Sequence, residues 1–361
     1  MTTSPTPSPR TSSRFAAAAA REFDGTTERS LESLALGAGV IGFLAIGLLS
    51  LPVFGFQSAP ISGPGSIGQY AAIASAVVAV LAFAAGRIVV VRRGERRRLG
   101  ILDYLDVAAL AFAHGVIALL SWTLVAVILE EAFIGAVVFP LFVVVLGAAA
   151  AAVTGYVCFF SATHMDLTLL AIVLAVFLAE GVITSMLTSS DPQWWELNLS
   201  ALGMPGDVSS LAFNLTLIVA GFIVTTLARY ATLGVPTPNP KGLRNVRISL
   251  VVVGVFLACV GIFHVDDFFA LHTGVASGMA VAYGVLTINL PRWIPGLPRT
   301  FILLGWIFIA VVVLLAVFFA VGYYTLTAVE LVAGILVFTW IILFIRNAEA
   351  LRADTAPESP S

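Results

Sequence analysis

The sequence predicts an all-α polytopic membrane helix bundle of about ten transmembrane helices with both termini cytoplasmic, on three observations. First, the 361 residues are 60% hydrophobic and 11% charged, with a mean hydropathy of +1.04, whereas soluble domains carry roughly 25% charged residues. Second, ten runs approach the ~20 apolar residues that a helical crossing requires: 33–53, 69–91, 106–129, 133–158, 167–188, 208–230, 247–264, 268–288, 299–321 and 326–345. Third, threading these runs through a bilayer puts all 18 Lys and Arg residues on one side. Basic residues flanking spans stay cytoplasmic, so the side holding Arg92, Arg93, Arg96, Arg97 and Arg98 is the inner one. Adding or removing one span would scatter the basic residues over both sides.

In chain order, residues 1–32 are rich in Ser, Thr, Pro and Arg and predict a disordered cytoplasmic tail, with an alanine stretch between Phe15 and Phe23 as a possible surface helix. Residues 33–160 form a four-helix membrane segment, residues 165–346 a six-helix membrane domain, and residues 347–361 a second cytoplasmic tail. The inner connections hold the cluster Arg92 to Arg98, then His164, then Lys241, Arg244 and Arg247, then Arg292 and Arg299; the Arg92 to Arg98 cluster reads as a topology anchor. The outer connections hold Glu130 and Glu131, the stretch Asp191 to Asp207, Asp266 and Asp267, and finally Tyr323 and Tyr324. Between residues 231 and 246, Pro236, Pro238 and Pro240 predict an extended connector. The first outer loop, Pro60 to Gly65, weakly echoes the third, Leu199 to Gly206, as copies of one helix–loop–helix unit would, though Gly, Pro and Ser suit any tight loop.

Composition also excludes classes. The basic residues are topology signals spread along the chain, which argues against nucleic acid as a partner. Cys158 and Cys259 lie in apolar runs and read as packing residues, without a disulfide framework. Seventeen Arg against the single Lys241, with abundant Ala and Val, suggest a GC-rich genome and hence a bacterial plasma membrane. No span contains the Lys that a retinal Schiff base needs.

Ionisable side chains at mid-bilayer cost at least about 2.5 kcal/mol, so each needs a partner, a cavity or an interface. Glu180 lies about eight residues below the outer end of its span, roughly 12 Å at helical rise, with Thr184 and Thr188 continuing one polar stripe outward. Glu330 sits about a turn inside the last span. Asp207, Ser210, Asn214 and Gly221 share one helix face by spacing. The densest constellation is His264, Asp266, Asp267 and His272, within nine residues at one outer turn. Such a turn can bring His264 and His272 together as ligands for a divalent metal or as a base facing a lipid head group. Alternatively, Asp266 or Asp267 caps the next helix while the imidazoles hydrogen-bond across the bundle. Trp194, Trp195 and Glu196 fit an interfacial belt. His114 suits a helix–helix hydrogen bond, Asp103 and Asp106 a helix start, and Ser200 a turn or, less readily, a nucleophile.

Leu199-Ser200-Ala201-Leu202-Gly203, then Phe213-Asn214 with Gly221, then Gly261-Ile262-Phe263 followed by Asp266, Asp267 and His272, resembles an uncharacterised bacterial domain of six membrane helices. That domain is distantly similar to the Frag/DRAM/Sfk membrane proteins, which are tied to lipid remodelling and phospholipid organisation. The resemblance covers about residues 165–346 and implies an outward-facing polar pocket formed by Ser200, Asn214, Asp267 and His272. The related proteins commonly carry Pro where this chain has His264.

The resulting expectation is a protein that binds, remodels or organises an envelope lipid at the outer leaflet, with membrane lipid as its partner. The site candidates are His264, Asp266, Asp267, His272, Glu180, Ser200, Asn214 and Glu330. Two alternatives stand beside it: a proton-coupled secondary transporter using Glu180 and Glu330, and a non-catalytic membrane scaffold.

Overall fold

The computed structural model describes residues 9–93, 101–204, 206–233 and 235–354, with side chains described from residue 29 onward except over 92–103. The side chains of the cluster Arg92 to Arg98, of the Phe15 to Phe23 stretch and of Asp103 thus lie outside what is described. The helices are α1 (Pro9–Phe54), α2 (Ile67–Arg93), α3 (Ile101–Ala132), α4 (Pro140–Thr163), α5 (Leu167–Thr188), α6 (Val208–Ala231), α7 (Pro240–Ile262), α8 (Phe269–Trp293), α9 (Arg299–Ala320) and α10 (Leu326–Asp354). All ten are long and apolar enough to cross a membrane. The protein is an all-α, multi-pass membrane bundle.

Several boundaries differ from the predicted spans, and at the starts of α4 and α7 the reason is local. α4 begins at Pro140 and not at 133, because Gly135 adopts φ +73 and β2 (Val137–Val138) pairs antiparallel with β1 (Ala59–Pro60). Proline then fits the first helical turn, where no N–H is needed. α7 starts at Pro240, capped by the Asn239 side chain, which accepts from the Gly242 N–H at 2.9 Å. Lys241, Arg244 and Arg247 therefore sit on helix and not in an extended connector. α10 runs on to Asp354, and α1 begins at Pro9 with its apolar span at Arg29–Phe54. The Pro-Gly echo does not produce one backbone: loop 55–66 holds β1, whereas loop 189–207 holds two short 3₁₀-helices, Trp194–Glu196 and Leu199–Gly203.

Helix association in lipid lacks a hydrophobic drive and relies on close packing of small residues. α4 lies against both α1 and α2, and α2 against α3. A Cβ on Gly39 or Gly42 of α1 would meet the Ala152 or Ala151 carbonyl of α4 at 3.0 or 2.9 Å. α5, α6, α7 and α8 pack in sequence, and α10 packs on α5 and α9. At the α6–α7 crossing a Cβ on Gly221 would strike the Gly254 carbonyl and lie 2.8 Å from the Ala258 backbone nitrogen. α3 joins the two groups of helices through α5 and α6.

Polar cross-links reinforce this packing. His114 of α3 sits 2.8 Å from the Leu110 carbonyl and 3.0 Å from Ser161 Oγ of α4, the helix–helix bond expected of it. Asp106 does more than begin a helix: α3 has already started at Ile101, and Asp106 Oδ2 pairs with Arg229 of α6 at 2.8 Å and accepts from Tyr230 Oη at 3.0 Å. Gly221→Val should lower stability by about 1–3 kcal/mol through overpacking, read as a fall in thermal midpoint in detergent. Gly284→Ala, where an added methyl meets open space, should leave the midpoint unchanged or raise it.

Candidate functional site

Alternation of ten helices gathers loops 55–66, 133–139, 189–207, 263–268 and 321–325 at one end of the bundle, here called the His264 end. The 189–207 loop is the longest of these, yet Ser200, Ala201, Leu202 and Gly203 are buried. Two carboxylates hold it in. Asp207 is the N-cap of α6: one oxygen accepts from the Ser210 N–H at 2.9 Å, and the other accepts from the Ser190 hydroxyl at 2.6 Å and its N–H at 3.3 Å. One side chain thereby ties the two ends of the loop together. Glu330, in the first turns of α10, takes the Leu199 N–H at 2.7 Å and also draws on the Ser200 N–H. It caps the Leu199–Gly203 helix in place of Asn198, whose side chain makes no cap bond there.

From Ser200 the network continues into the 263–272 turn. His272 Nδ1 lies 2.7 Å from the Phe263 carbonyl, and Nε2 lies 3.0 Å from Ser200 Oγ. A carbonyl only accepts, so Nδ1 carries the proton, and Nε2 accepts from the Ser200 hydroxyl. Asn214 Nδ2 donates to the Gly203 carbonyl at 3.0 Å and lies 3.1 Å from His264 Nε2. The same logic fixes the Asn214 amide by its carbonyl partner. His264 Nε2 is then an acceptor, and its ring proton sits on Nδ1. One ligand-type atom each of His264, Asp266 and Asp267 lies within 4.8 Å of the others, with both Asp residues exposed.

Seven of the sequence-selected residues thus fall into one neighbourhood: Glu330, Ser200, His272, Asn214, His264, Asp266 and Asp267. Glu180 does not join them. It half-emerges on α5 and accepts from Ser121 Oγ of α3 at 2.8 Å. Thr184 and Thr188 donate to the Glu180 and Thr184 carbonyls of their own helix, at 2.7 and 2.8 Å. The expected polar stripe therefore satisfies itself, and Glu180 fastens α5 to α3. One further correction concerns the turn. Neither Asp266 nor Asp267 caps α8, whose N-cap position is Phe268, with no side-chain bond. His264 and His272, expected together as metal ligands, engage different partners: in the neutral rings Nε2 accepts from Asn214 in one and from Ser200 in the other, while His264 groups with Asp266 and Asp267. A divalent ion would have to displace Asn214 or a ring proton.

Ser200 and His272 have the spacing of a nucleophile and its base, with a carbonyl orienting the ring. Acyl transfer also needs N–H donors for an oxyanion. Here the Leu199 and Ser200 amides serve Glu330, and the Asn214 amide serves Gly203 and His264. The arrangement is built to hold a loop. Trp194 packs against the core while Trp195 is exposed, so only the latter is placed as a belt residue. Ser121, the Phe263 carbonyl and the Ser185–Ser209 pair at 3.0 Å had not been singled out from sequence. Ser121 carried a signal, as a hydroxyl within an apolar run.

Removing the cap with Glu330→Ala should leave buried amides unmatched and cost about 1–3 kcal/mol, seen as a lower thermal midpoint and as faster proteolysis within 189–207. At Asp207 partial burial opposes the charge, but hydrogen bonds from the Ser190 hydroxyl and from the Ser210 and Ser190 amides outweigh it and hold the carboxyl below its ordinary value of 3.8. A depressed carboxyl contributes stability above its unfolded-state value and loses it as pH falls through the lower native value. Asp207→Asn should therefore lower the thermal midpoint at pH 7 and flatten its decline below about pH 4.

No protein-family model, no curated protein and no solved structure matches this chain.

Proposed function

We propose that the protein binds and organises an envelope lipid at the outer leaflet through the turn 263–272. The observation that carries this reading is the two-sided character of that turn. Asp266 and Asp267 are exposed beside His264, and in the same turn Phe268, Phe269 and Leu271 are 49%, 67% and 45% exposed. Apolar side chains at such exposure suit hydrocarbon, and carboxylates one residue away suit head-group level. The network behind the turn supports the reading. Asn214 orients His264 and Ser200 holds His272, so the surface groups stand on a fixed base.

The loops at this end contain no Lys or Arg, while Lys241, Arg244, Arg247, Arg292 and Arg299 sit at the opposite end. The positive-inside rule then makes the His264 end extracytoplasmic in a bacterial plasma membrane. The resemblance of residues 165–346 to an uncharacterised six-helix domain, itself distantly similar to proteins tied to phospholipid organisation, is in keeping with this reading. Because the turn offers acceptors and an imidazole N–H, the head groups it suits carry hydrogen-bond donors.

The test is lipid analysis of protein extracted with its membrane patch in polymer discs. Wild type should retain one lipid class enriched over the surrounding membrane. The Asp266→Asn/Asp267→Asn variant should lose that enrichment about tenfold, the scale of one charged hydrogen bond, with an unchanged thermal midpoint. A wild-type sample with the bulk membrane composition would remove this reading.

A further inference from the structure

We propose a second lipid site, distinct from the turn 263–272: a cleft between α2, α3 and α4 that takes an acyl chain of a phospholipid whose head group bears a primary amine. The cleft has a volume of about 300 Å³, far above the ~10–15 Å³ that one water needs. Its lining has no charged or hydroxyl-bearing side chain. The one polar side-chain atom among its residues, Trp122 Nε1, donates to Thr154 Oγ1 at 2.9 Å. Water entering would find no side-chain partner, and apolar cavities stay dry. In a membrane protein the abundant hydrocarbon is the acyl chain.

The hollow is built and not a packing fault. Its walls carry Gly68, Ala71, Ala126 and Ala150 where a bundle would otherwise place larger side chains. α2 is pressed hard onto its surroundings at this level: a Cβ on Gly68 would collide with Ala126 and lie 2.6 Å from the Ile61 carbonyl. The β1–β2 pair roofs the cleft at the His264 end, with Val137 and Val138 in the lining. At the sides, Val125, Leu129 and Leu146 are 40%, 40% and 48% exposed, so the cleft is continuous with the membrane-facing surface. A chain therefore enters sideways and stops beneath a fixed roof.

Charge selects the head group. Glu130 and Glu131 are exposed in the last turn of α3, between the lining residues Leu129 and Phe133. No Lys or Arg lies in any loop at this end. An anionic head group meets only like charge there. A primary ammonium offers N–H donors to the carboxylates, and a quaternary ammonium offers none. The site stands without the turn 263–272, since it shares no residue with it.

The experiment uses full-length protein in nanodiscs with phosphatidylethanolamine carrying a photoreactive acyl chain, and in parallel phosphatidylglycerol and phosphatidylcholine with the same chain, followed by peptide mapping of the adducts. Phosphatidylethanolamine should label residues 122–137 about tenfold above the exposed α9 positions Val313 and Val317, and above either other lipid. Val125→Trp, an exposed position that fills the mouth, should abolish the excess. Glu130→Gln/Glu131→Gln should erase the preference over phosphatidylglycerol while keeping the fold. Labelling equal to that of α9 means an ordinary lipid annulus and overturns the proposal. So does labelling without head-group preference, and so does replacement of lipid adducts by cross-links between two copies of the chain. Adducts at Phe268 and Phe269 that persist while the cleft is unlabelled sink this site alone, whereas absence at both places sinks the lipid reading of the turn as well.

Discussion

Inside a bilayer a polar group has no water to fall back on, and much of this protein's interior follows from that constraint. Backbone groups are satisfied by helices. Several of the side chains that remain are matched across helix pairs: His114 with Ser161, Trp122 with Thr154, Ser121 with Glu180, Ser185 with Ser209, whereas Ser75, Tyr283, Thr287, Thr327 and Trp340 each bury a side-chain polar atom that has no hydrogen-bond partner among the described residues. Each pair joins two helices. Where no second helix offers a partner, a threonine turns back on its own carbonyls, as Thr184, Thr188 and Thr216 do.

The 189–207 loop extends the same constraint to irregular backbone. A buried 3₁₀-helix of five residues has N–H groups that no preceding turn satisfies. Glu330 supplies the acceptor from α10, Asp207 closes the loop on itself, and Asn214 takes up the Gly203 carbonyl at its far end. The His264–His272 turn then completes the partners of Ser200 and Asn214. A loop held at both ends and in the middle is a rigid platform. The exposed carboxylates and phenylalanines of the neighbouring turn inherit that rigidity.

The global architecture was readable because it depends on additive signals. Hydropathy and the placement of 18 basic residues integrate over many positions, and single errors such as the start of α4 do not disturb them. The cluster of His264, Asp266, Asp267 and His272 stood out because lipid makes such residues expensive, whereas placing Ser200 and Asn214 beside His272 came from the resemblance. Partner identity was not readable. Nothing in one dimension says that Glu330 reaches the amide of Leu199, 131 residues away, or that Glu180 turns toward α3 and not toward the loop. Hydrogen-bond direction at the two imidazoles was not readable for a related reason. Spacing counts imidazole nitrogens, whereas coordination needs a lone pair, and the lone pairs were assigned to Asn214 and Ser200 by carbonyls whose positions only the fold determines.

The tautomers make the candidate site one-directional in a way that bears on any ligand. With Nδ1 protonated on both rings and Nε2 accepting inward, His272 has nothing left to offer outward, and His264 can present only an N–H. The exposed face of the turn therefore consists of two carboxylates and one imidazole donor. Phosphate oxygens compete poorly for such a surface, because the carboxylates repel them and a single donor remains. Ammonium and hydroxyl groups find acceptors with fixed positions. The acidic end of α3, reached through different helices, has the same sign. On the proposed lipid reading, both places would disfavour anionic head groups, and the apolar surface beside each would leave the hydrocarbon tail to supply the binding energy that exposed charges in water do not.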